Sequence, residues 1–196
     1  MEQSRLTAFT DGVLAIIVTI MVLELRPPHG TSLADLVRLW PVFLSYVLSF
    51  TYVGIYWNNH HHFFQLVKSV DGAMLWANMH LLFWISLVPF TTAWMGENHF
   101  APTPTALYGG SLLMAALAWL VMQKVIFRAQ GATSPLRRAL GRDLKGKASP
   151  VLYLIGIGLA YVDTRGAGLM YAGVAAMWLI PDRRVEHLIS FDAKRS

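Results

Sequence analysis

Of 196 residues, 55% are hydrophobic and only 14% are charged, against about 25% charged in an ordinary soluble domain, so the chain lacks the charge to clothe a water-facing surface. The formal net charge is +5, and the absence of cysteine excludes disulfides, thiolate metal sites and cysteine nucleophiles. No Asp, Glu, Lys or Arg occurs in 39–67, 72–96 or 98–123, and each run exceeds the ~20 residues that a helix needs to cross a bilayer.

The pattern predicts an all-α polytopic membrane protein, one domain over 1–196 with six transmembrane helices. Helix 1 is expected over 6–25, apolar but carrying Asp11 and Glu24. Asp11 interrupts its hydrophobic run and Arg26-Pro27-Pro28 follows in place of a small-residue cleavage site, so it reads as a permanent helix and not a cleaved signal peptide. Proline cannot continue the helical hydrogen-bond ladder, which stops helix 1 there. Helix 2 is expected over 38–66, and Asp71-Gly72 breaks it from helix 3 over 72–95. Ala101-Pro102-Thr103-Pro104 separates helix 3 from helix 4 over 105–127. The Gly-, Ser- and Arg-rich stretch 128–147 is the one sizeable loop, and Asp163-Thr164-Arg165-Gly166 is a tight turn between helix 5 (148–162) and helix 6 (167–181). The last two spans are marginal by length. The second half contains nothing like the Asp11-Gly12 or His60-His61-His62 clusters of the first, so an inverted repeat is not supported.

Six spans with the N-terminus inside assign thirteen of the sixteen basic residues to the cytoplasmic side: Arg5, Lys68, Lys124, Arg128, Arg137, Arg138, Arg142, Lys145, Lys147, Arg183, Arg184, Lys194 and Arg195. Only Arg26, Arg38 and Arg165 fall outside. That asymmetry follows the positive-inside rule. Basicity here orients the chain with both termini cytoplasmic; it implies a lipid bilayer as partner and no nucleic acid.

An ionisable residue inside a membrane is a structural or functional commitment. Arg5 and Asp11 are six residues apart and do not share a helix face as i,i+4 partners do, so each is expected to find a partner on another helix. Asp11 then serves either as a structural tie for helix 1 or in ion handling. His60-His61-His62 project about 100° apart and cannot all bind one ion, while His80 and His99 are scattered. No metal or other cofactor is expected. One or two of these histidines are expected to pair with Asp11, Asn78 or backbone groups, with the remainder meeting headgroups. Trp40, Tyr52, Trp57, Trp76, Trp84, Trp94, Trp119 and Trp178 include several near predicted interfaces, where aromatic belts belong, and no recognition role is assigned to them. Ile16, Thr19, Ile20 and Leu23 share one face of helix 1, continued inward by Gly12, Phe9 and Arg5. Periodicity alone leaves open whether that face lines a pore or packs like any apolar stripe.

The run Arg5-x-x-x-Phe9-Thr10-Asp11-Gly12-Val13-x-Ala15-Ile16 resembles the first-helix signature of the transmembrane protein 175 family of potassium channels, whose core is Phe-Ser-Asp after an Arg. Here threonine keeps the hydroxyl and adds a methyl. Tyr56-Trp57-x-x-His60-His61-x-x-Phe64, Asn78 with the run Leu82 to Phe90, and Trp178-x-Ile180-Pro181-Asp182-Arg183-Arg184 are similar to bacterial members in the same order. The resemblance implies a potassium-selective channel in a bacterial inner membrane, without a Thr-Val-Gly-Tyr-Gly filter, in which helix 1 of four identical subunits lines the pore. It implies Ile16 at a hydrophobic constriction, Ile20 and Leu23 as further rings, and Thr19 as a ring of hydroxyls; proton permeation is also implied. Asp11, about 140° round the helix from Ile16, is expected to face the bundle. Arg5, Phe9, Thr10, Asp11, His60, His61 and Asn78 are expected to form the network that holds helix 1 at its angle. Glu24 at the outer mouth either concentrates cations or is neutralised by Arg26. The protein is not expected to be an enzyme. The competing reading is a proton-coupled secondary transporter or metal-dependent membrane enzyme built on Asp11 and the histidines; a structural scaffold has no feature in its favour.

Overall fold

The computed structural model describes residues 2–67, 69–131 and 143–179. Lys68, Arg137, Arg138, Arg142, Arg183, Arg184, Lys194 and Arg195, the closing motif from Ile180 onward and most of the 128–147 loop lie outside the described residues. Among the described residues the structure is helical, without strands. In chain order the elements are α1 (Gln3–Leu23), α2 (Leu33–Val37), α3 (Trp40–Gln65), α4 (Gly72–Ser86), α5 (Val88–Glu97), α6 (Pro102–Gln130), α7 (Leu144–Leu159) and α8 (Thr164–Leu179).

Their boundaries have local causes. The expected third helix is two segments, because Pro89 cannot donate to the carbonyl of Ile85 and its ring crowds that carbonyl. The chain turns at Leu87, whose N–H bonds to Trp84 O at 3.3 Å. The break expected at Ala101-Pro102-Thr103-Pro104 lies just before the prolines: α5 ends at Glu97 and Ala101 caps α6, while Pro102 and Pro104 fall in its first turn, where a missing N–H is tolerated. α7 begins four residues before the expected start, capped by Asp143, whose carboxylate accepts from Gly146 N at 2.8 Å. The short α2, not foreseen, is set by a reciprocal capping box between Ser32 and Asp35.

Among the described residues three stretches are long and apolar enough to cross a membrane: Gln3–Leu23, Gly72–Glu97 and Pro102–Gln130. α3 has 26 residues, about 39 Å of helix, but its polar end Asn58-Asn59-His60-His61-His62 lowers its hydropathy. α7 has 16 residues, about 24 Å, and is short against the ~30 Å hydrocarbon core; α8 is described over 16 residues, to Leu179.

α1 packs on α3, α4 and α5, while α6 packs on α4, α5, α7 and α8. Two apolar cores result. One joins α1, α3, α4 and α6 through Leu14, Ile17, Met21, Phe64, Met74 and Leu81. The other joins α3, α5, α6, α7 and α8 around Tyr52, Tyr108, Leu112, Tyr153 and Tyr171. The second core depends on close approach at two glycines: a Cβ on Gly109 or Gly156 would lie 2.0 Å or 2.4 Å from the Tyr171 side chain, so no larger residue fits. Buried hydroxyls in a bilayer need internal partners, and several here find them, although the Thr105 hydroxyl has none among the described residues. Thr92 Oγ1 donates to Ser49 Oγ at 2.6 Å, Ser49 Oγ to Tyr108 Oη at 3.0 Å, and Tyr171 Oη to Thr105 O at 3.3 Å.

Candidate functional site

α1 has two faces with different fates. Leu6, Thr10, Leu14, Ile17 and Met21 are buried, recurring every three or four residues as one stripe against α3 and α4. Ile16, Ile20 and Leu23 are 61%, 41% and 73% exposed, and Thr19 is exposed beside them. Leu14 sits about 200° round the helix from Ile16, so anchoring the first stripe turns the second away from the chain's own bundle. Thr19 Oγ1 donates to Ala15 O at 2.9 Å, which ties its proton to the helix and leaves the oxygen lone pairs free on the exposed face.

The anchor is polar as well as apolar. Asn78 of α4 donates through Nδ2 to Thr10 Oγ1 at 2.9 Å, and its Oδ1 lies 2.9 Å from His60 Nε2 of α3. Because the amide hydrogens of Asn78 face Thr10, its carbonyl oxygen faces His60, and Nε2 must carry the imidazole hydrogen. All three side chains are buried. His60 also stacks on Phe64, with centroids 4.3 Å apart, which fixes the ring. Three helices thus meet at one chain of hydrogen bonds.

One turn away, Asp11 accepts from Trp57 Nε1 at 3.0 Å. Both line a groove between α1 and α3 with Leu14, Val18, Phe50 and Val53, where the bond is exposed. His61 stacks on the Trp57 ring at 6.1 Å and bonds Gln65 at 2.9 Å, so it braces the indole without touching Thr10 or Asn78. Gln3 Nε2 donates to Phe64 O and ties the start of α1 to the same end of α3.

The structure therefore brings Thr10, His60 and Asn78 together in one cluster and Asp11, Trp57 and His61 in a second. It leaves Arg5 and Phe9 outside both. They are exposed because they continue the Ile16 face, and among the described residues the Arg5 side chain reaches no partner on another helix. Trp57 was assigned no role from sequence; it is the residue that holds Asp11. Its signal was present in its place three residues before His60, on the same face of α3. Glu24 caps the end of α1 and is exposed. Among the described residues no three His, Asp or Glu side chains are grouped to hold a metal ion.

Comparisons with known proteins converge on one family. The family model described as "Endosomal/lysosomal potassium channel TMEM175" matches residues 5–89, from the first basic residue of α1 to the proline at the α4–α5 break. A protein of Chryseobacterium sp. (strain P1-3) named a potassium channel is 52% identical over 95% of this chain and 97% of its own length. The human endosomal/lysosomal proton channel TMEM175 is 30% identical over 53% of this chain, which corresponds to 23% of the human protein. Among solved structures, that of a lysosomal potassium-selective channel TMEM175 homolog from Chamaesiphon minutus superposes with a TM-score of 0.77, at 28% identity, over 92% of this chain and 97% of that one.

Proposed function

This chain belongs to the TMEM175 family of membrane ion channels, and on that premise we propose that it forms a potassium-selective pore lined by α1 from four copies. Each copy crosses a bacterial inner membrane six times with both termini cytoplasmic. The observation that carries this reading is the exposed stripe of Ile16, Thr19, Ile20 and Leu23 on a helix whose opposite face is locked to its own bundle.

Four isoleucine side chains at the level of Ile16 make a narrow apolar neck. Such a neck holds water poorly and closes by dewetting, and a small widening rehydrates it. Ile20 and Leu23 repeat the ring one and two turns outward. Between the Ile16 and Ile20 rings, four Thr19 hydroxyls present lone pairs, because each proton is held by Ala15 O. Oxygen lone pairs replace part of a cation's hydration shell, and potassium sheds water more readily than sodium. The anchors set the angle at which α1 presents this face. Proton permeation belongs to the same proposal, since the human relative is named a proton channel.

The test is cation flux into liposomes holding the purified protein under a potassium gradient. Passive potassium-selective flux is expected, and Ile16→Asn, which wets the neck, should raise leak several-fold or blur the ion ratio. Saturable flux coupled to a second substrate would favour a transporter instead, and an Ile16→Asn channel with unaltered conductance and ion ratio would remove Ile16 from the constriction.

A further inference from the structure

On the far side of α3 from α1, a cavity of about 30 Å³ is lined by Tyr56 and Asn59 of α3, Trp119 of α6, Ser149 of α7 and Trp178 of α8. Two tryptophans line it, and their indole N–H groups differ. Trp178 Nε1 donates to Ser149 Oγ at 2.9 Å. Trp119, only 6% exposed, has an Nε1 hydrogen with no acceptor among the described residues. A buried donor left unmade costs about 1–3 kcal/mol, and an orphan of this kind is uncommon in a native protein.

The chemistry of the lining narrows what meets it. An indole N–H only donates, so the occupant must accept. A cation would meet the positive end of that bond. An anion would be desolvated with no charged residue on the lining to pair with. A neutral acceptor remains, and roughly 10–15 Å³ of such volume holds one water, so this cavity takes one or two. A buried water also needs places for its own hydrogens. The carbonyl oxygen of Asn59 is one, since its amide nitrogen is committed to Ile55 O at 2.9 Å; the Tyr56 hydroxyl is another.

We propose that this cavity is a built water site, in which a buried water accepts the Trp119 indole hydrogen and donates to Asn59 and Tyr56, joining α6 to α3. Asn59 directly precedes His60, so the bridge braces from behind the turn of α3 that holds α1 in front. The site stands whether or not α1 lines a pore.

The seven tryptophans of the chain make ¹⁵N-indole labelling in lipid nanodiscs a direct test, with Trp119→Phe assigning the resonance. The Trp119 indole proton is expected at a hydrogen-bonded shift with a cross-peak to water, and Ala116→Val, which fills the cavity, should abolish the cross-peak and move the proton upfield. A Trp119 proton with no water cross-peak, or with cross-peaks to lipid protons in its place, overturns the proposal. Should the substitutions not fold, an experimental density map of the unaltered protein decides: a peak within hydrogen-bond reach of Trp119 Nε1 is expected, and an empty cavity contradicts it.

Discussion

The two faces of α1 are built from nearly the same residue types and do opposite things. Leu14, Ile17 and Met21 are almost wholly buried, and round the other side of the same helix Ile16, Ile20 and Leu23 are open. Hydrophobicity does not separate them. What separates them is the set of polar ties on one side of α1, with Thr10 bonded to Asn78, Asp11 to Trp57 and Gln3 to Phe64 O, which chooses which side of an apolar cylinder turns inward. In a bilayer, where lipid tails are as apolar as leucine, apolar contact gives little preference between faces and polar contacts carry the orientation. The difference predicts that substitutions on the anchored face change folding and assembly, while those on the open face change permeation.

Asn78→Ala should show the largest structural effect, because it strands both His60 and Thr10. A loss of about 1–3 kcal/mol is expected, read as a lower thermal midpoint and reduced assembled fraction on size-exclusion chromatography. An Asn78→Ala protein as stable as the parent would deny the network its anchoring role. Asp11→Ala follows, at about 1 kcal/mol, since the half-exposed Trp57 it abandons can find a headgroup or water. Asp11→Asn keeps an acceptor for the indole and should assemble normally. Normal assembly of Asp11→Ala with abolished current would move Asp11 from the anchor to the ion path. Thr19→Val should leave stability within about 0.5 kcal/mol, as exposed substitutions do, yet shift the potassium-to-sodium ratio measured by bi-ionic potentials. Thr19→Ser should keep that ratio, and an unchanged ratio in Thr19→Val would strip the hydroxyl ring of its role.

Much of this fold is legible in sequence where the signal is local. The spans expected over 38–66, 72–95 and 105–127 match α3, the α4–α5 pair and α6 to within a few residues, and Pro27-Pro28 bounds α1. Reading failed where one residue type has two meanings. Pro102 and Pro104 belong to the expected break but start α6 just after it, whereas Pro89, inside an apolar run, does interrupt the helix. The start of α7 was hidden because Lys145 and Lys147 fall in its first turn and mask it from hydropathy, while its Asp143 cap looks like loop. The candidate site divides in the same way. Periodicity groups Ile16, Thr19, Ile20 and Leu23 on one face of α1 but does not say that this face is the open one, and Thr10, Asp11, His60 and Asn78 stand out because polar groups in apolar runs are conspicuous. Their pairing does not follow: Thr10 and Asn78 are 68 residues apart and Asp11 and Trp57 are 46 apart, and only the packing of three helices decides that His60, not His61, meets Asn78. The pairing of Trp57 with Asp11 is not legible because an interfacial tryptophan and an anchoring one look alike in sequence.

The central claim is that Ile16 faces its counterparts across a pore while its neighbour Ile17 faces the bundle. The chain has no cysteine, so single cysteines can be introduced into an otherwise unaltered protein and challenged with cadmium during potassium flux. Block of Ile16→Cys with Ile17→Cys insensitive is the expected result. Block of Ile17→Cys, with Ile16→Cys conducting undisturbed, would contradict the account.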